Sequence, residues 1–334
     1  MPLDRHFVRS VELSTIRTRY PRTVGRNARL GSHGSGGDSD IVIIRTDTGK
    51  VGWGLVAGPV PAEQLTGRSV ADLIDPGSGV RHEALRGLDF ALHDLAGQIE
   101  DLPVHALLGG HGQRTVPCYD GAIYFADLDP DDGPRGVSAV LADCAADDAR
   151  DIEVTWAVRE AYPDHRILVD ANDGYDCAGF LEYLQAVTEC DLYWAEEPFL
   201  DDAADLARLK SHLRDSGSAT LIAEGETDPE LATLLEIAGR GDIDVLLMDV
   251  VSFGLTSWRA VMPTIAELGV RASPHAWGLP LKTLYAAHVA AGLGQVDTVE
   301  GVPGETIGAD TSGYLWRDGQ LTVPDRPGFG LPLT

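Results

Sequence analysis

Lysine is nearly missing from this chain. Lys50, Lys210 and Lys282 are the only three in 334 residues, and none falls between positions 51 and 209. Over that stretch no lysine can serve as a catalytic base. Basic side chains as a whole are few: 26 Lys and Arg stand against 52 Asp and Glu, a net charge of -26. Such a field repels nucleic acid and anionic membrane surfaces and favours solubility, so neither is expected as a partner. Cysteine is also sparse. Cys118, Cys144, Cys177 and Cys190 have no CxxC spacing, which argues against a zinc site or a redox pair. No apolar run reaches about 18 residues, and no basic segment followed by an apolar core opens the chain, so neither a membrane span nor a signal peptide is expected. A cytoplasmic setting follows as the default.

What the chain has in quantity is acid, and three acids recur in register. The runs Arg166-Ile167-Leu168-Val169-Asp170, Leu192-Tyr193-Trp194-Ala195-Glu196 and Thr220-Leu221-Ile222-Ala223-Glu224-Gly225-Glu226 each lead to an acid, with 26 and then 30 residues between the acids. A strand, a loop and a helix fill about 25 to 30 residues, so one acid ends each successive unit. If the units wind into a barrel, Asp170, Glu196 and Glu226 converge at the carboxyl ends of its strands, where such barrels keep their active sites. Three carboxylates that close together need a cation, and a hard divalent ion such as Mg²⁺ prefers oxygen ligands. Any one of these acids alone reads as a turn residue or a helix cap. Three in register point to a metal site.

The register continues with different chemistry. Val245-Leu246-Leu247-Met248 leads to Asp249, and Val270-Arg271-Ala272-Ser273-Pro274 leads to His275, after steps of 23 and 26 residues. Adjacent strand ends put an aspartate beside a histidine. A carboxylate on one imidazole nitrogen fixes the tautomer and raises the basicity of the other, which makes His275 a candidate general base with Asp249 as its orienter.

Together these stretches resemble the enolase superfamily, and within it the mandelate racemase subgroup. The resemblance rests on Val169-Asp170-Ala171-Asn172, Trp194-Ala195-Glu196-Glu197-Pro198, Ala223-Glu224-Gly225-Glu226, Met248-Asp249 with Gly254 beyond it, and Ser273-Pro274-His275. It extends to IVIIRTDTGKVGWG at 41–54 and LDFALHDLAGQIEDLPVHALLGG at 88–110, which are similar to that superfamily's capping domain. The resemblance implies an α/β fold, a modified TIM barrel under an α+β cap. It also implies bound Mg²⁺ on Asp170, Glu196 and Glu226, and His275 removing the proton next to a substrate carboxylate. Glu300 falls where the family's last strand supplies an acid that can hydrogen-bond that carboxylate; a surface-turn role is the alternative.

The pattern departs from the family on the second barrel strand, where members commonly carry Lys-x-Lys. Val137, Val140, Leu141, Cys144 and Ala145 recur at the spacing of one helix face. Asp147-Asp148-Ala149-Arg150-Asp151 follows, and Asp151 is placed to cap a second helix over 152–162. A strand should separate two barrel helices, and none is recognisable. Three explanations stand: a deletion, a strand hidden in 138–143, or a gap filled by a neighbouring subunit. A deleted or remodelled strand is the expectation, and it would leave two costly edges and put activity in doubt.

The cap is expected over 1–113, completed by 306–334, with the barrel over 114–305. Val11–Tyr20 and Ile41–Gly54 read as antiparallel strands around a polar loop, and Tyr314-Leu315-Trp316-Arg317-Asp318-Gly319-Gln320-Leu321 as a hairpin turning at Asp-Gly and, by resemblance, packing on the cap. The loop over 20–37 carries Arg22, Arg26, Arg29 and His33 among five glycines. Arg29 and His33, near its middle, are candidates to close on an anionic substrate; the alternative is a solvated loop. Asn172 is a candidate to support the site or a plain turn residue, and Glu197, Glu224, Tyr119 and Asp120 remain undecided.

With one identifiable base, the expected activity is a Mg²⁺-dependent lyase dehydrating a sugar acid through a metal-stabilised enediolate, since the imidazolium can return its proton to the departing hydroxyl. Racemase, epimerase and cycloisomerase chemistry remain open, as does an inactive binding or assembly subunit. The expected partners are a small-molecule carboxylate and further copies of the chain.

Overall fold

The computed structural model describes residues 2–24, 32–110, 112–121, 138–142, 148–200, 202–227 and 230–334. Strand β1 (Val8–Arg19) pairs antiparallel with β2 (Asp38–Thr46), which turns back into β3 (Val51–Leu55). The stretch read as one strand over 41–54 is thus a hairpin. Ile41, Val42, Ile43 and Ile44 are all buried, because both faces of β2 carry an apolar layer. Helix α1 (Asp89–Glu100) covers one face through Ala91, Leu92 and Leu95. Its approach depends on Gly52 and Gly54: a Cβ at Gly52 would lie 2.4 Å from Leu95 N, and one at Gly54 2.4 Å from the Phe90 Cβ. The short hairpin of β4 (Ile74–Asp75) and β5 (Gly79–Val80) precedes α1, and α2 (Val104–Leu107) follows it.

Parallel strands then succeed one another: β6 (Thr115–Asp120), β7 (Ser138–Ala142), β8 (Arg166–Asp170), β9 (Leu192–Glu196), β10 (Leu221–Glu224), β11 (Val245–Leu246), β12 (Arg271–Ala272) and β13 (Val299–Gly301). Each pairs with the next through β12. A bridge between Ala272 and Val296 joins β12 to the chain entering β13, and β13 lies on β6 with Glu300 opposite Tyr119. The ring closes, which removes its edges. Helices α3 (Asp148–Ala161), α4 (Cys177–Ala186), α5 (Ala203–Ser216), α6 (Leu231–Arg240), α7 (Val250–Phe253), α8 (Leu255–Leu268) and α9 (Pro280–Leu293) follow their strands. Side chains alternate between two cores. Leu168, Trp194, Ala223 and Val245 gather with Tyr119 in one cluster, while Ile167, Val169, Ala195 and Ile222 belong to another with Phe180, Leu209 and Leu234 of the helices. The fold is an α/β modified TIM barrel with an α+β cap.

The barrel does not lack a strand, which corrects the expectation of a deletion. Strand β7 lies parallel between its neighbours, with Asp120 opposite Ala139, Val140 opposite Leu168 and Ala142 opposite Asp170. The helix face read through Val140 and Leu141 is therefore strand; Val137, Cys144 and Ala145 lie outside the described residues. Ser138-Ala139-Val140-Leu141-Ala142 is almost wholly apolar, a composition common in parallel strands, and so short an apolar run has no period of its own. Asp151 is not a cap either. Asp151 lies inside helix α3, which already includes Asp148, and its buried Oδ2 accepts from the Tyr175 hydroxyl at 2.7 Å.

The final strands divide between the two sheets. β14 (Glu305–Ile307) extends the cap sheet along β1. The hairpin of β15 (Leu315–Arg317) and β16 (Gln320–Thr322) forms around Asp318 and Gly319, both at positive φ (49° and 70°). It pairs with barrel strand β6, Leu321 opposite Val116, and so is laid on the barrel where the cap had been expected. The residues beyond it reach the cap: Trp53 Nε1 donates to Leu331 O at 2.7 Å. Among the described residues, no helix is long and apolar enough to cross a membrane.

Candidate active site

Strands β8 and β9 end side by side, with Asp170 opposite Glu196 in the register. Strand β10 ends at Glu224, and Gly225 at φ 112° turns the chain so that Glu226 joins them. One carboxylate oxygen from each of Asp170, Glu196 and Glu226 lies within 4.8 Å of the others. Burial, the Glu226 charge and then that of Glu197 raise Asp170 well above the ordinary carboxylate range. Burial and the Asp170 charge do the same to Glu196. Three oxygen donors that repel one another suit one hard divalent ion.

The backbone around these acids is held in uncommon conformations. Asn172, Asp173 and Glu197 have φ of 48°, 54° and 36°, a region that non-glycine residues enter at a cost and that clusters at functional sites. The Asn172 amide donates to Asp170 Oδ1 at 2.8 Å, and the Asp173 amide to Glu197 O at 2.7 Å. Asn172 thus orients Asp170 through its main chain. Glu197 is buried beside the triad, accepting from Thr227 N at 3.0 Å and Thr227 Oγ1 at 3.2 Å, and burial and the Glu226 charge push it up to about 8.

His275 faces the triad. Its Nε2 stands 3.2 Å from Glu226 Oε1 and 3.8 Å from Glu300 Oε2, while Nδ1 stands 3.2 Å from Asp249 Oδ2. Burial opposes a charge on the ring, but Glu226, Glu300 and the Asp249 hydrogen bond outweigh it and push His275 up to about 9. Asp249 is held low despite its burial, because His275 and Lys282 both favour its charge. Its Oδ1 also caps α7, accepting from Val251 N at 2.9 Å and Ser252 N at 2.8 Å. The cap and orienter readings of Asp249 are both realised, one on each oxygen. Glu300 is buried at the same rim, not in a surface turn: Oε2 accepts from Ala276 N at 2.7 Å, and a Cβ on Gly121 would stand 2.6 Å from Oε1.

Six of the residues singled out from sequence thus meet at one rim: Asp170, Glu196, Glu226, Asp249, His275 and Glu300. His33 packs edge-on against Trp277, ring centroids 4.2 Å apart, and the Tyr20 hydroxyl donates to Gly278 O at 2.5 Å, so the cap reaches the loop that carries His275. Arg29 lies outside the described residues. Tyr119, buried in the barrel, meets Trp194 edge-on at 5.6 Å. Lys282 was passed over in the sequence, yet its Nζ stands 2.5 Å from Asp249 Oδ2. The signal was available: it is a cation in the first turn of α9, where a helix dipole disfavours positive charge.

A closed barrel with carboxylates and a histidine–aspartate pair at the carboxyl ends of its strands defines a barrel enzyme whose site can hold one divalent cation. Residues 134–334 match the family described as Enolase C-terminal domain-like, and the chain belongs to that family. A D-galactarolactone cycloisomerase from Agrobacterium fabrum is 27% identical over 339 residues, covering 88% of each chain. A galacturonate dehydratase from Geobacillus, solved with D-galacturonate and 5-keto-4-deoxy-D-galacturonate, is 30% identical, with a TM-score of 0.90 over 99% of this chain and 95% of its own. A mandelate racemase/muconate lactonizing protein from Geobacillus sp. Y412MC10, solved with magnesium and tartrate, is 29% identical, with a TM-score of 0.90 over 99% and 94%.

Proposed function

We propose that this enzyme is a Mg²⁺-dependent dehydratase of a sugar acid, with hexuronates as the substrate class and D-galacturonate the first member to test. Asp170, Glu196 and Glu226 would hold the ion, whose oxygen-only donor set they match. When bound, it neutralises charge that develops on a substrate carboxylate as the adjacent proton leaves.

The observation that carries this reading is the orientation of His275. With Nδ1 engaged by Asp249, Nε2 is turned towards the acids and is the nitrogen that takes the proton α to the carboxylate. Asp249 balances the positive charge that the ring then gains. Glu300 and the Ala276 amide form a polar wall beside the ring, placed to meet the substrate carboxylate. The imidazolium returns its proton to the hydroxyl leaving from the β carbon, so one water is released and the enol product becomes an α-keto acid. No lysine occurs in β7, so that strand supplies no lysine on an opposite face, and this favours dehydration over racemisation.

Incubation with D-galacturonate and Mg²⁺ should produce an α-keto acid, read as semicarbazone absorbance and as the loss of water by mass. If neither D-galacturonate nor any other uronate or aldonate yields one, while a lactone isomerises, the cycloisomerase reading takes its place.

A further inference from the structure

We infer that Lys282 is a positioning residue for the His275–Asp249 pair, its ammonium fixing the Asp249 oxygen to which the imidazole is anchored. The inference rests on His275 being the base. Lys282 Nζ stands 2.5 Å from Asp249 Oδ2, closer than His275 Nδ1 at 3.2 Å, and also reaches Trp277 O at 3.4 Å. One long side chain therefore ties together the cap of α7, the loop after β12 and the start of α9.

Two costs show that this lysine is held for a reason. Its side chain is only 17% exposed, so its charge has given up much of its water. It also sits in the first turn of α9, two residues after Pro280, where the exposed amides already carry partial positive charge. Asp249 offsets both. The benefit falls on the carboxylate. Its Oδ1 is committed to the Val251 and Ser252 amides, which sets the plane of the group but leaves Oδ2 to be claimed. With His275 alone, that oxygen would follow the ring whenever it tilted towards Glu226. With Lys282 it is held by a second, closer donor, and the ring turns about a fixed anchor.

The test compares Lys282→Met, Lys282→Gln and Lys282→Arg with the wild type, using Mg²⁺ and D-galacturonate. Lys282→Met and Lys282→Gln should lower kcat about 10- to 100-fold, the usual penalty for losing an orienting partner. KM and calorimetric Mg²⁺ affinity should stay near their wild-type values, and Lys282→Arg should recover part of kcat. A deuterium isotope effect at the α carbon should rise as proton removal becomes limiting. In ¹⁵N-histidine-labelled protein, the Nδ1 signal of His275, assigned by its loss in His275→Asn, should shift in Lys282→Met and Lys282→Gln. The melting curve of each variant shows that it is folded. Unchanged kcat together with an unchanged His275 signal in the folded variants overturns the inference. Where the wild type forms no keto acid, the dehydratase reading fails, and the His275 signal alone then decides: a shift upholds the role of Lys282 and constancy ends it.

Discussion

Nε2 of His275 rests 3.2 Å from Oε1 of Glu226, so the proposed base leans on a proposed metal ligand. Glu226 and Glu300 are the charges that push His275 up to about 9 against its burial. A cation on the triad would neutralise Glu226 and take that support away. In a histidine NMR titration, His275 should therefore titrate near 9 without Mg²⁺ and at lower pH with it. His275→Asn should lower kcat by about 10²- to 10⁴-fold, the usual worth of a general base, with Mg²⁺ affinity retained.

Metal binding should be opposed by acid. Asp170 and Glu196 are raised well above the ordinary carboxylate range, so the ion competes with protons to higher pH than at ordinary carboxylates. Mg²⁺ affinity rises with pH while those protons come off, and calorimetry in buffers of different ionisation enthalpy should detect proton release. At a Mg²⁺ concentration a hundred times Kd, stability should rise by about 2.7 kcal/mol. Asp170→Asn should abolish that increment, as seen in melting curves recorded with Mg²⁺ and with chelator.

Gly225 links the end of β10 to Glu226 at φ 112°, and a Cβ there would come within 2.9 Å of the Leu234 Cδ1. Gly225→Ala should cost about 1–3 kcal/mol in denaturant melts through the strained backbone. It should also weaken Mg²⁺ binding, because Glu226 moves with the strand end. Full stability and unaltered affinity in this variant would remove the glycine from the account of the site.

Away from the site, His288 is fully buried, accepts from His105 N at Nδ1 (3.1 Å) and faces the Tyr314 hydroxyl with Nε2 (2.9 Å); that hydroxyl donates to Phe329 O at 2.6 Å. A second ring proton would meet the His105 N–H, so the ring must be neutral. Burial, followed by the nearby His105, lowers it to about 3. Its folded value lies below the unfolded one, so its contribution is complete above about pH 6.5 and drains away as pH falls towards 3. His288→Phe should be less stable at neutral pH by about 1–3 kcal/mol, from the orphaned His105 N–H. Melting midpoints measured across that window should fall less steeply with acid for His288→Phe than for the wild type.

The acids and the dyad were legible because a repeating strand–helix unit puts its strand ends at regular intervals; Asp170 and Glu196 each sit at one, and Asp249 and His275 lie three residues past β11 and β12. Glu226 kept the rhythm although it lies two residues past β10, because one glycine turn does not disturb a period of that size. Strand β7 was illegible, since an almost wholly apolar pentapeptide carries neither helical nor alternating period. The partner of Lys282 was hidden by distance: it lies 33 residues earlier, and only the closed barrel sets the start of α9 against the cap of α7. The hairpin at Asp318-Gly319 was readable from its turn, but which sheet it would join depends on pairing that no local pattern encodes.

The C-terminal stretch acts as a suture. Between Glu305 and Leu331 it lays one strand along β1, another along β6, and then returns to Trp53. Stitched to both sheets, this one stretch ties cap to barrel through backbone pairing, whereas Tyr20 and His33 meet the Trp277 loop through one side-chain hydrogen bond and one ring contact.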